Sequence, residues 1–147
     1  MKLDLVKKDQ LLEIKNDKTL GIQTYGINND FPQQILMLIS SSVSAGQGID
    51  NYSKFINGQG FNDINLWKQI VNRKGQIMDF ILRMISEDYA IFGGFCLHFN
   101  YNMLYQICEI NYVPFEDVRL GSINENGYCD KAKIHWDWTK QFRNLLS

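Results

Sequence analysis

The apolar residues of this chain change period at Gly93-Gly94, and that change limits the possible folds more than any other feature of the sequence. Before the two glycines, Trp67, Ile70, Val71, Ile77, Met78, Ile81, Met84, Ile85 and Tyr89 recur at three- and four-residue steps, the spacing of one helix face. Lys68, Gln69, Arg73, Gln76, Asp79, Arg83 and Glu87 take the opposite face. The spacing predicts one long helix over about 65–92, a rod on the order of 40 Å, with Gly75 as its weak point. After the glycines, Phe95, Leu97, Phe99 and Tyr101 alternate with Cys96, His98 and Asn100, the period of a strand.

The remaining elements follow from local signals. Asn102 offers a tight turn, 104–113 reads as the returning strand of a hairpin, and Pro114 ends it. Residues 118–122 read as a short strand, 124–127 as a turn with an Asn-Gly signal, and 128–136 as a strand pairing back. Upstream, Pro32 opens a helix behind the turn and cap chemistry of Asn28, Asn29 and Asp30. Ser40, Ser41, Ser42 and Ser44 weaken that helix by competing for backbone hydrogen bonds. A second short helix is expected over about 45–56, closed by Asn57-Gly58-Gln59-Gly60. The expected class is therefore α+β, with helices first and antiparallel hairpins last. The alternating strand and helix of a nucleotide-binding parallel sheet is missing.

Composition narrows the function classes. The 147 residues fit one domain, and 45% apolar with 21% charged residues is an ordinary globular balance. A net charge of −1, with no basic run longer than Lys7-Lys8, argues against a dedicated nucleic-acid binder. Cys96, Cys108 and Cys129 lack paired spacing and follow no signal peptide, so a reducing interior is the expected setting. No apolar stretch approaches the roughly 20 residues of a membrane span; 77–92 is broken by Asp79, Arg83, Glu87 and Asp88. The 13% aromatic content is high, and aromatic surface serves cores and interfaces alike.

No catalytic, cofactor-binding or metal-binding residue is assigned. Gly58-Gln59-Gly60 lacks the preceding strand and third glycine of a phosphate cradle, and reads as a helix cap. Cys96, His98, Cys108, Cys129 and His135 are zinc-ligand types without the tight pairs that structural zinc sites use. His98 could reach Cys96 two residues away on a strand, but no elbow, oxyanion hole or orienting group accompanies them. Glu87-Asp88 and Glu116-Asp117 are adjacent pairs, better read as solvated or capping groups than as acid–base dyads. The candidate site residues are instead aromatic: Trp136, Trp138 and Phe142, three large rings near the end of the sequence. They form either an assembly interface or a plug docked onto the long helix.

The linear order of motifs resembles a known family. Tyr25-Gly26-Ile27-Asn28-Asn29-Asp30-Phe31-Pro32-Gln33 is similar to a segment near the start of portal proteins from tailed phages of gut Bacteroides-type bacteria. Tyr52-Ser53-Lys54-Phe55-Ile56-Asn57-Gly58-Gln59-Gly60-Phe61, Ile91-Phe92-Gly93-Gly94-Phe95, Val113-Pro114-Phe115-Glu116-Asp117-Val118-Arg119-Leu120-Gly121 and the closing tryptophans follow in the same order. The resemblance divides the chain into an arm over 1–24, a portal-like segment over 25–138 and a truncated tail over 139–147. Portal proteins are several times longer, so the resemblance implies the amino-terminal portion of one. It further implies a non-enzymatic subunit of a homo-oligomeric ring, a dodecamer in the family, at one capsid vertex of the virion, assembled in the host cytoplasm. Its implied partners are the terminase motor, head-completion proteins and DNA that passes through without sequence-specific binding. No cofactor and no membrane are implied. The other expectation is a self-contained, non-catalytic α+β interaction module with the tryptophans packed internally.

Overall fold

The computed structural model describes residues 14–138, an α+β fold of four helices and three small antiparallel hairpins. The first hairpin pairs β1 (Ile14–Asp17) with β2 (Ile22–Tyr25). Asp17 builds its turn, its Oδ1 accepting from the amides of Thr19 and Leu20 at 2.8 and 3.0 Å. The expectation of helices first is thus corrected, since a hairpin precedes them.

Helix α1 (Phe31–Ser41) carries Pro32 in its first turn and is followed after Ser42 by α2 (Val43–Asn57). The serines act as their chemistry predicts. Ser40 and Ser41 hydroxyls donate to the carbonyls of Met37 and Leu38, each at 2.8 Å, while Ser42 Oγ accepts from Ala45 N–H. Asp30 forms no cap; its Oδ1 accepts from the Gln34 side chain at 2.9 Å.

The single helix over 65–92 is not formed. Helix α3 (Ile64–Lys68) stops at Gln69, and α4 begins only at Met78 and runs to Phe92. Between them Ile70 and Ile77 face each other as a β-bridge. Their seven-residue spacing suits two helical turns and the two arms of a tight loop equally well. Asn72 decides for the loop, its Oδ1 accepting from the amides of Lys74 and Gln76 at 3.1 and 3.2 Å. Gly75 completes it at φ +74°, a conformation cheap only for glycine.

Gly93 ends α4 in the left-handed conformation. The chain then enters the hairpin of β3 (Cys96–Tyr101) and β4 (Ile107–Val113), with Phe99 opposite Ile110 and a register shift between Asn100 and Tyr101. The returning strand begins at Ile107, later than expected. The Ile110 amide donates to Val71 O at 2.8 Å, so the loop between α3 and α4 lies along β4.

A 3₁₀ turn, Phe115–Asp117, leads into β5 (Val118–Leu120), which pairs with β6 (Ala132–Ile134). The expected strand over 128–136 is therefore shorter at both ends. Gly121 bridges to Ile22, joining the first and last hairpins. Among the described residues the buried hydrophobic side chains are Ile22, Val71, Ile81, Val118 and Trp138, with Pro32 buried beside them. That is a small core, with polar members beside it.

Candidate assembly surface

The centre of the molecule is a buried arginine. Arg119, on β5, has no exposed surface, and its neighbours Val118 and Leu120 fix it in the strand. Its Nε–H donates to Asn29 Oδ1 at 2.7 Å and its Nη2 to Asn29 O at 2.9 Å. Nη1 donates to the carbonyls of Glu116 and Val118, both at 2.8 Å. The planar fork suits this set of separated acceptors, which an ammonium could not satisfy together. The guanidinium lies 4.7 Å from the centre of the Tyr25 ring and 5.5 Å from that of Trp138. Burial lowers its pKa to about 10, so it remains charged at neutral pH.

Asn29 reaches this position because it adopts φ +56°, which asparagine tolerates better than most residues. Its Oδ1 also accepts from the Tyr25 amide at 3.0 Å. Beyond Tyr25 the rings of Phe115 and Phe92 continue the stack at 6.1 and 5.0 Å, tying β2 through the 3₁₀ turn to the end of α4. Two of the segments that carry the family resemblance, around Tyr25 and around Arg119, therefore meet in one clasp.

A second polar tie lies at the other side of Phe115. Asp88 on α4 is buried, accepts from the Phe115 amide at 3.0 Å and bonds the Tyr112 hydroxyl. Burial pushes the Asp88 carboxyl up, the two hydrogen bonds oppose this, and Glu116 and Glu87 add to it. Burial also raises the Tyr112 phenol, followed by its bond to Asp88.

Of the candidate rings, Trp138 is buried, and its indole N–H donates to Asp117 O at 2.9 Å. Its ring lies against Arg119 and His135. Trp136 is 74% exposed and stacks on His135. The strand expected to reach residue 136 stops before either tryptophan: β6 ends at Ile134, and the chain turns where the Asp137 amide donates to His135 Nδ1. Phe142 lies outside the described residues. Cys96 is half-buried, with burial and then Asp88 pushing its thiol up, which disfavours the nucleophilic thiolate. Among the described residues no three His, Cys, Asp or Glu side chains converge as metal ligands. No helix among them is long and apolar enough to cross a membrane.

Further exposed apolar surface lies on the helices and at a hairpin tip. Met37 and Leu38 of α1 and Val43 and Phe55 of α2 are largely exposed. So are Met103, Leu104 and Tyr105 at the tip of the β3–β4 hairpin. Between α1, α2 and α4 runs a groove of about 730 Å³, lined by Leu36, Ile39, Ile49 and Ile91, with Asp50, Lys54, Arg83 and Glu87 along its rim. A sequence signal for the clasp existed in the Asn-Asn-Asp turn and in an arginine between two apolar strand residues. Comparison with family models, curated proteins and solved structures gave no significant match.

Proposed function

We propose that this chain is a structural portal-type subunit, or the amino-terminal portion of one, that completes itself in a homo-oligomeric ring. The observation that carries this reading is the apolar surface of α1, α2 and the hairpin tip, which the chain's own small core leaves uncovered. The ring would sit at a capsid vertex of a virion, meet a terminase and head-completion proteins, and pass DNA without gripping a sequence. A near-neutral net charge suits such a passage, since neutralising phosphates is what makes binding tight. The role asks for no cofactor and no catalytic residue of this chain. Sedimentation and electron microscopy of the purified full chain test it. Closed rings support the proposal, and a monomer that stays monodisperse at high concentration would sink it.

One observation favours a second reading, a self-contained, non-catalytic α+β interaction module. Trp138 is packed inside the fold against Arg119 and Asp117. Sedimentation of the full chain over a range of concentrations separates the two: a module stays monomeric, whereas an assembly subunit associates.

A further inference from the structure

We infer that β3 of one chain pairs antiparallel with β3 of a second copy, centred on His98, so that two β3–β4 hairpins join into one continuous sheet. The contact is two-fold and closes at two copies, so it neither needs nor builds the ring proposed above. The hairpin has one covered edge and one bare edge. On the β4 side the loop between α3 and α4 takes the edge. There the Ile110 amide donates to Val71 O at 2.8 Å, Ile110 O accepts from Asn72 Nδ2 at 3.1 Å, and Glu109 pairs with Arg73 at 2.7 Å. The Ile110 amide thus points away from β3, so Ile110 and its partner Phe99 are a non-hydrogen-bonded pair, and Phe99 turns its own N–H and C=O outward. The alternation places Leu97, opposite Tyr112, the same way. Neither Leu97 nor Phe99 has a backbone partner on that side among the described residues. Outward groups spaced two residues apart are satisfied by another extended strand, each facing pair exchanging both of its bonds.

Natural sheets guard their edges with charge, lysine above all, or with proline. Of the other hairpins, β1 carries Lys15 and β6 carries Lys133. β3 carries no such guard: no Asp, Glu, Lys, Arg or Pro lies between Asp88 and Glu109. The strand's own order selects a second copy as its partner. About His98 its apolar positions read nearly the same in both directions, with Leu97 matched by Phe99 and Phe95 by Tyr101. An antiparallel copy centred there sets Leu97 against the partner's Phe99, both with outward backbone groups, so the ladder closes in register. It also sets Phe95 against the partner's Tyr101, and these two rings are 47% and 58% exposed in the single chain. Cross-strand pairs of aromatic and aliphatic side chains stabilise an antiparallel sheet, and no like charges meet across this one.

His98 is exposed, and in this register it faces its own copy as a non-hydrogen-bonded pair, the closer kind. His98→Lys and His98→Glu each set like charges opposite one another without entering the core of either chain. In sedimentation of the full chain, each variant alone should dimerise about fivefold more weakly than the unaltered chain. An equimolar mixture of the two should recover the dimer, because opposite charges then face each other. Both variants should keep the melting temperature of the unaltered chain at low concentration. Amide exchange read by nuclear magnetic resonance gives a second measure: the Leu97 and Phe99 amides should slow as the concentration of the unaltered chain rises. A chain that shows no concentration-dependent protection at Leu97 and Phe99 overturns the proposal. So do variants that dimerise as strongly as the unaltered chain with no gain on mixing. If rings form and the His98 variants leave them and the exchange of both amides unchanged, this pairing is wrong while the ring reading stands.

Discussion

Arg119 and Asn29 lie ninety residues apart in sequence and meet in a hydrogen bond of 2.7 Å. No salt bridge is found for this arginine among the described residues, and neutral acceptors satisfy it instead. A buried ion pair can often be exchanged for apolar groups at little cost, but removing one side of a satisfied polar set leaves the other side stranded.

Arg119→Met should therefore destabilise the fold by about 3–5 kcal/mol, because four oxygens lose their donor. Arg119→Lys should recover little of this, since a point charge cannot reach all four. Urea unfolding at neutral pH checks both. A loss below about 1 kcal/mol for Arg119→Met would place the contact among ordinary surface pairs.

Asp88 gives the pH dependence. Its carboxyl is raised from 3.8 by burial, so the folded state holds a proton that the unfolded state has released. The stabilisation this brings is complete below 3.8 and is lost as pH climbs through the raised folded value. Glu116 and Asp117, both raised chiefly by burial, act in the same direction. Asp88→Asn keeps an acceptor for the Phe115 amide and cannot ionise, so the variant should gain on the unaltered chain between pH 4 and pH 7. Melting curves that shift in parallel across that range would show that Asp88 does not titrate with folding.

The glycines divide by surroundings. A Cβ on Gly121 would lie 2.8 Å from Lys131 O, which the β5–β6 pairing holds in place. Gly121→Ala should cost about 1–3 kcal/mol as an overpacked site. Gly48 lies inside α2 with nothing within 4 Å of its added Cβ, and Gly48→Ala should gain up to about 1 kcal/mol. Equal effects from the two in thermal unfolding would contradict this account.

The two tryptophans should behave oppositely. Trp138→Ala removes a buried ring and its bond to Asp117, with an expected loss of about 3–5 kcal/mol. Trp136→Ala should change stability by less than about 1 kcal/mol, and any larger effect should appear in self-association. Chemical denaturation and sedimentation of both variants read the difference directly.

Much of the fold was legible because local chemistry set it. Pro32 started α1, the serines ended it, and the alternation from Phe95 gave β3. The break at 69–77 was hidden because Ile70 and Ile77 satisfy the helical period while serving as bridge partners. The first hairpin was missed because its short strands carry little alternation, and Ile22 bridges to Gly121, far along the chain. The candidate surface was half legible. Aromatic excess signalled surface or core, but the two-residue spacing of Trp136 and Trp138 implied one face only while the strand continued. The pairing of Arg119 with Asn29 could not be read, since nothing local shows that Asn29 will supply its acceptors.

The clasp also sets the order in which this polypeptide can mature. Tyr25 and Asn29 leave the ribosome early, but their partners Arg119 and Trp138 arrive more than a hundred codons after Tyr25 or close to it. Until then α1 and α2 can coil but have no closed centre to rest on, and their oily sides face the cytosol of whichever cell translates them. Nascent chains should therefore depend on holding factors until the final strand emerges.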